Sequence, residues 1–257
     1  MDNPRELTQS DLDRYNRQMM IQGWGIEGQK RLKNSKVVVL GAGGLGCPAS
    51  IYLAVGGIGH IIIIDMQKPE LSNLNRQVLH WEEDIKGSGN YKAISAKEKI
   101  EQMNSGILVE AVVAEITGEN IYDLVKGADV VIDAMDNFRT RYLINKACVQ
   151  SRIPFVHAGI YGLVGQLTTI VPGKGPCLKC IFPTPPVEQK IFPVLGTTPA
   201  MFATLQAMEA FKLILGIGTP LAGRLMIFDG ESMSFDVMQI KRRGNCKECA
   251  HLYKTDA

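Results

Sequence analysis

From residue 36 onward, short unbroken apolar runs alternate with longer stretches in which apolar residues recur every three to four positions. Val37–Leu40 is apolar throughout and leads into a glycine turn at Gly41–Gly43, which predicts a strand buried on both faces. Leu45–Val55 predicts a helix ended by Gly56 and Gly57. His60–Met66 predicts a second buried strand, Tyr91–Met103 a helix, Leu108–Ile116 a strand and Ile121–Lys126 a short helix. Asp129–Asp136 predicts another strand, followed by a helix through Gln150. Strands of this kind separated by helices predict an α/β fold whose mostly parallel sheet is covered on both faces.

The flanks read differently. Thr8–Ile21 predicts a helix capped by Thr8, with Asp11 three residues on and Leu12, Tyr15 and Met19 on one face. Gln166–Val171 alternates as an antiparallel strand does. Phe182–Pro199 is proline-rich without helical spacing, which predicts a long surface loop. Thr204–Leu215 predicts a helix ended by Gly216, and Leu225–Asp229 with Phe235–Ile240 a last pair of strands. No repeat or low-complexity linker interrupts residues 1–257, which read as one domain.

Composition narrows the class. With 257 residues, 46% of them hydrophobic, the chain can bury a substantial core. A net charge of +2 and a charged fraction of 21% fit neither a disordered chain nor a strongly nucleic-acid-binding one. The run Ile61–Ile64 ends at Asp65, too short to span a bilayer, and the polar start MDNPRELTQSD has no signal-peptide core. The expectation is a soluble cytoplasmic protein without membrane or nucleic-acid partners.

GAGGLG, Gly41–Gly46, falls between a predicted strand and a predicted helix. Glycines at Gly41, Gly43 and Gly44 allow backbone N–H groups to approach a phosphate, and the helix start adds partial positive charge. Asp65, at the end of the next strand, suits ribose hydroxyls. The plainer reading is a tight turn without a ligand. A dinucleotide and ATP both fit such a loop, but Arg76 and Lys92 follow it, and phosphoanhydride chemistry needs cations where hydride transfer does not. A lone Arg or Lys is more often a solvated surface charge, so the grouping carries the argument. In DAMDN, Asp136 could hold Mg2+ between phosphates, while Asp136 or Asn137 could equally cap the following helix.

Cys177-Leu-Lys-Cys180 and Cys246-Lys-Glu-Cys249 are two knuckles of equal spacing. Four such thiolates close a tetrahedral Zn2+ site with no open position, so the metal is structural. Cys47 and Cys148, on predicted helices, read as small core residues, and His251 is not needed as a ligand.

RYNRQ (Arg14–Gln18), GAGGLG, SNLNRQ (Ser72–Gln77), DAMDN, the two knuckles and LQAMEA (Leu205–Ala210) together resemble the MoeB/ThiF/HesA family of ubiquitin-activating-enzyme-like adenylyltransferases, over nearly the whole chain. The resemblance implies a Rossmann-like ATP-binding fold. It divides the chain into an N-terminal helical segment (1–35), a nucleotide-binding half (36–150) and a carrier-binding and zinc half (151–257). It further implies a homodimer whose ATP site borrows Arg17 from the neighbouring subunit, with ATP contacts from Gly44, Asp65, Asn73, Arg76, Lys92 and Asp136. The implied reaction is attack of a carboxylate on the ATP α-phosphate with release of pyrophosphate, with Arg17, Arg76 and Lys92 stabilising the phosphate charge.

Two positions depart from the family pattern. Gln67 stands where relatives often carry a second acidic residue, and Gln189 stands about where many carry a reactive cysteine. The expectation is an enzyme that stops at the acyl-adenylate. Lys86–Asn90 reads as an insertion forming a flap near the phosphates. The favoured substrate is the C-terminal carboxylate of a ubiquitin-like sulfur carrier. The alternatives are a small carboxylate, such as the pyridinol precursor of the iron–guanylylpyridinol cofactor, an NAD-dependent oxidoreductase, and a non-catalytic binding module.

Overall fold

The computed structural model describes residues 6–86, 89–187 and 192–253. Eight strands form one sheet: β1 (Lys36–Leu40), β2 (His60–Ile64), β3 (Leu108–Val112), β4 (Val130–Asp133), β5 (Phe155–Tyr161), β6 (Val164–Ile170), β7 (Arg224–Asp229) and β8 (Ser234–Gln239). They lie in the order β3-β2-β1-β4-β5-β6-β7-β8. The first five pair in parallel, and β6, β7 and β8 continue as an antiparallel meander. This is a Rossmann-like α/β fold with antiparallel C-terminal strands.

Alternate residues of β1 feed two cores. Val37 and Val39 face one side, packed with α4 (Gly46–Val55), α5 (Lys92–Met103) and α9 (Thr197–Leu215). Val38 and Leu40 face the other, packed with α6 (Ile121–Val125), α7 (Phe138–Ser151) and the cysteine knuckles. Burial of both faces explains why these strands are apolar throughout.

Several boundaries differ from the sequence reading. The expected Thr8–Ile21 helix is broken into α1 (Gln9–Arg14) and α2 (Asn16–Met19), and α3 (Gly25–Lys33) follows unannounced. The capping box is present: Asp11 N–H donates to Thr8 Oγ1 (3.1 Å) and Thr8 N–H to Asp11 Oδ2 (2.8 Å). Tyr15 ends α1 because its ring is buried and its hydroxyl accepts from Asn104 Nδ2 at 2.8 Å. β5 had no sequence expectation at all. α9 starts at Thr197, seven residues before the expected Thr204, because Pro199 falls in its first turn, where a missing N–H costs nothing. The short α8 (Leu178–Ile181) carries the first knuckle.

Candidate nucleotide site and cysteine centre

The strand order reverses direction between β1 and β4, where an open parallel sheet leaves its crevice. The glycine loop follows β1 and DAMDN follows β4, so both lie at that crevice. Gly41 has φ +104°, and a Cβ there would lie 2.7 Å from the Ala134 carbonyl. A Cβ on Gly46 would lie 1.8 Å from the Gly41 carbonyl. The tight turn therefore requires glycine at both positions. Gly43 and Gly44 are half-exposed, and their N–H groups have no acceptor among the described residues.

Asp65 sits one residue beyond β2. Its Oδ2 accepts from Ala42 N–H at 2.9 Å and its Oδ1 from Gln67 N–H at 2.7 Å. Lys92 opens α5 with its side chain almost wholly buried, and its Nζ donates to Gln67 Oε1 at 2.8 Å. Burial lowers the Lys92 pKa, opposed by the carboxylates of Asp65 and Asp136 and reinforced by the neighbouring Arg76 cation. Lys92 thus feels Asp65, Arg76 and Asp136 across the crevice. Gln67, the departure from the family pattern, serves here as the neutral tether of Lys92.

Asn73 is buried in a 3-10 turn (Leu71–Asn73), and its Oδ1 accepts from Glu70 N–H at 3.3 Å. Arg76 Nη1 donates to the Ser72 carbonyl (2.7 Å) and to Asn75 Oδ1 (2.9 Å). A Cβ on Gly44 would approach Pro199 at 3.3 Å and Arg76 Cγ at 3.6 Å, so the glycine loop, the Arg76 segment and the start of α9 close on one another. At the end of β4, Asn137 settles the capping alternatives: its Oδ1 accepts from Thr140 N–H (2.9 Å) and its Nδ2 donates to Asp136 Oδ1 (3.2 Å). The Asp136 carboxylate is exposed and free of the capping role.

Arg17 is not brought to this crevice within the chain. It is exposed on α2, whose neighbouring Gln18 donates to the Gly56 carbonyl at the far end of α4. The glycine loop adjoins the other end of that ten-residue helix, about 15 Å away. Gln189 lies outside the described residues, as do Gly87 and Ser88 of the Lys86–Asn90 insertion. His80 and Ser95, behind the loop, were not singled out in the sequence.

The knuckles meet in space. The sulfurs of Cys177, Cys180, Cys246 and Cys249 all lie within 4.8 Å of one another, with Cys177–Cys246 at 3.6 Å and Cys180–Cys249 at 3.5 Å. A tetrahedral zinc with Zn–S bonds of about 2.3 Å sets its sulfurs about 3.8 Å apart, so the four thiols fit that ion. Burial pushes the Cys177 thiol up, and the Cys249 thiol up to about 12. Burial also raises Cys246, but N–H groups of Cys249 and Glu248, together with the facing sulfurs, more than offset it. Cys47 and Cys148 are fully buried, and burial pushes Cys47 up to about 12 and raises Cys148 further. No helix among the described residues is long and apolar enough to cross a membrane.

The chain is 43% identical over 249 residues to the SAMP-activating enzyme E1 of Haloferax volcanii, covering 95% of this chain and 90% of that protein. It is 41% identical over 252 residues to the sulfur carrier protein adenylyltransferase of Thermus thermophilus, covering 94% and 92%. It is 42% identical to the adenylyltransferase and sulfurtransferase MOCS3-1 of Drosophila pseudoobscura pseudoobscura, covering 95% of this chain but only 55% of that relative's length. The crystal structure of E. coli MccB with ATP shares the fold at a TM-score of 0.81 and 27% identity, covering 95% of this chain and 76% of MccB. Residues 15–248 match the ThiF family model, and the chain belongs to the ThiF family.

Proposed function

We propose that this protein uses ATP to adenylate the C-terminal carboxylate of a ubiquitin-like sulfur carrier, giving an acyl-adenylate and pyrophosphate. The observation that carries this reading is the placement of Lys92 within reach of the charges of Asp65, Asp136 and Arg76, beside the open glycine loop. Its support from relatives is the 41% identity to a sulfur carrier protein adenylyltransferase along nearly the full length of both chains.

The N–H groups of Gly43 and Gly44 bind the phosphates, with Gly41 shaping the turn. Asp65 orients the ribose, and Asn73 braces the segment that presents Arg76. A carboxylate oxygen attacks the α-phosphorus while the bond to the pyrophosphate oxygen breaks. Negative charge builds on the leaving pyrophosphate, where Arg76, Lys92 and Arg17 of a second subunit act. Supply of Arg17 in this way makes the working form a homodimer. Asp136 is the carboxylate that would hold Mg2+, which neutralises phosphate charge, and Asn137 fixes its place. Zn2+ at the four cysteines is structural, because a closed four-sulfur shell offers a substrate no position. The chain stops at the acyl-adenylate: Cys47 and Cys148 are buried with raised pKa values, and the other cysteines are zinc ligands. Use of ATP and reduced thiols suits the cytoplasm. The carrier docks on the 151–257 half, where β8 exposes Phe235, Val237 and Met238.

The test is ATP–pyrophosphate exchange with magnesium, against carriers ending in Gly-Gly and a panel of small acids. Exchange that requires a carrier with a free C-terminal carboxylate is expected. Exchange with a small acid alone would replace the carrier as substrate, and absence of exchange with every carboxylate would overturn the adenylation reading.

A further inference from the structure

Behind the glycine loop runs a line of buried polar side chains that the reaction above does not use. His80 is 3% exposed, and its Nε2 lies 2.8 Å from the Ala42 carbonyl oxygen. The Cys47 thiol donates to the same oxygen at 3.2 Å. His80 Nδ1 lies 3.0 Å from Ser95 Oγ, and Ser95 Oγ accepts from Lys99 Nζ at 2.9 Å. Lys99 Nζ also donates to Asp84 Oδ2 at 2.6 Å and sits 4.7 Å from the centre of the Trp81 ring.

The direction of these bonds follows from their chemistry. A carbonyl oxygen only accepts, so His80 carries its proton on Nε2. Burial lowers the His80 pKa, which keeps the ring neutral and Nδ1 bare. Nδ1 then accepts the Ser95 hydroxyl proton, whose other acceptor, the Leu79 carbonyl, is more distant at 3.3 Å. The Lys99 ammonium donates into the Ser95 oxygen from behind, and each donor polarises the next.

The line ends on the peptide group that matters for phosphate binding. In a trans peptide the carbonyl and the following N–H point in opposite directions. Pinning the Ala42 carbonyl inward therefore turns the Gly43 N–H outward, to the half-exposed side of the loop. The Ala42 N–H is itself held by Asp65 Oδ2 at 2.9 Å, so both sides of Ala42 are fixed.

We propose that His80, backed by Ser95 and Lys99, is a positioning residue that locks the Ala42–Gly43 peptide with its N–H aimed at the phosphates of ATP. This inference rests on the adenylation reading. The competing role is that of a polar residue that only fills the core.

Side-chain chemistry separates the two. His80→Gln places an amide nitrogen near the position of Nε2 and keeps a donor to Ala42. His80→Leu fills similar space without one. Calorimetric ATP affinity and the KM and kcat of pyrophosphate exchange are measured for both, with melting temperature and zinc content as folding controls. His80→Leu is expected to weaken ATP binding and raise the KM for ATP by about 10- to 100-fold, the loss of one aligned N–H bond to a charged phosphate, with kcat within about threefold. His80→Gln is expected to restore most of that loss. Should His80→Leu fail to fold, Ser95→Ala removes the donor to Nδ1 together with the acceptor for Lys99 Nζ, leaves Lys99 its bond to Asp84, and is expected to weaken ATP binding about 3- to 10-fold with normal zinc content. Unchanged ATP affinity in the folded variants, or a His80→Gln protein as weak as His80→Leu, would overturn the proposal. Wild-type protein that binds ATP but exchanges with no carboxylate would instead refute adenylation and leave the positioning of ATP by His80 to be judged on affinity alone.

Discussion

Removing the charge at Lys92 is the sharpest perturbation of the proposed reacting centre. Its side chain is 4% exposed and tethered by Gln67 Oε1 at 2.8 Å, so little water can replace the ammonium. A cation at salt-bridge distance from a phosphate oxygen interacts by about 4 kcal/mol at an effective dielectric of about 20. The neighbouring Arg76 cation reduces the net loss. Lys92→Ala should therefore slow pyrophosphate exchange by about 10- to 1000-fold, or about 1.4 to 4 kcal/mol. The pH profile gives a second readout. In the proposed role the ammonium is the active form, so activity should be full below its pKa and fall as pH rises through it. Burial lowers that pKa, so the alkaline fall in kcat/KM should begin at lower pH than the ordinary lysine value of about 10.4 would give. Lys92→Arg stays charged through this range and should abolish the fall, whatever its absolute rate. Exchange by Lys92→Ala within threefold of wild type, with the same pH profile, would refute the placement of Lys92 at the phosphates.

The metal reading predicts one zinc per chain by elemental analysis of protein purified without chelator. Cys177→Ser should drop that content well below one and lower the melting temperature while leaving ATP affinity within about twofold, because the centre lies on the α6–α7 side of the sheet. Dimeric sites predict that Arg17→Ala and Asp136→Ala proteins, each inactive, regain part of the activity when mixed, since one site in the mixed dimer is intact. Light scattering that shows a monomer at micromolar concentration would contradict this. Mass spectrometry after turnover should find no thioester or persulfide on the enzyme, and an adduct at Cys47 or Cys148 would contradict the single-step reading.

Much of the candidate site was legible because its chemistry demands short spacings. Each cysteine knuckle needs only four consecutive residues, and the pairing across 69 positions follows from there being two of them. The glycine loop and DAMDN were readable because a buried parallel strand announces itself by an unbroken apolar run. β5 was not, because His157 and Gly159 interrupt FVHAGIY. His157 is buried by pairing with Asp133 at 2.7 Å, a contact between neighbouring strands that no local pattern reports. The start of α9 was hidden by Pro199, which breaks a helix interior but not a first turn. His80 gave no signal either. Its partners stand 15 and 38 positions away, and a lone histidine in an apolar setting reads as core until those partners are seen. Gln67 was visible as a departure, but its bond to Lys92 came only with the fold.

Attack of a carboxylate on the α-phosphorus of ATP transfers one carboxylate oxygen to the AMP phosphate, and isotopic labelling follows that oxygen. A carrier protein whose C-terminal carboxylate is labelled with heavy oxygen is incubated with ATP, magnesium and the enzyme, and the acyl-adenylate is allowed to hydrolyse. Heavy oxygen is expected in the phosphate of AMP and none in pyrophosphate. Label in inorganic phosphate with ADP as the other product, or AMP without label, would contradict it.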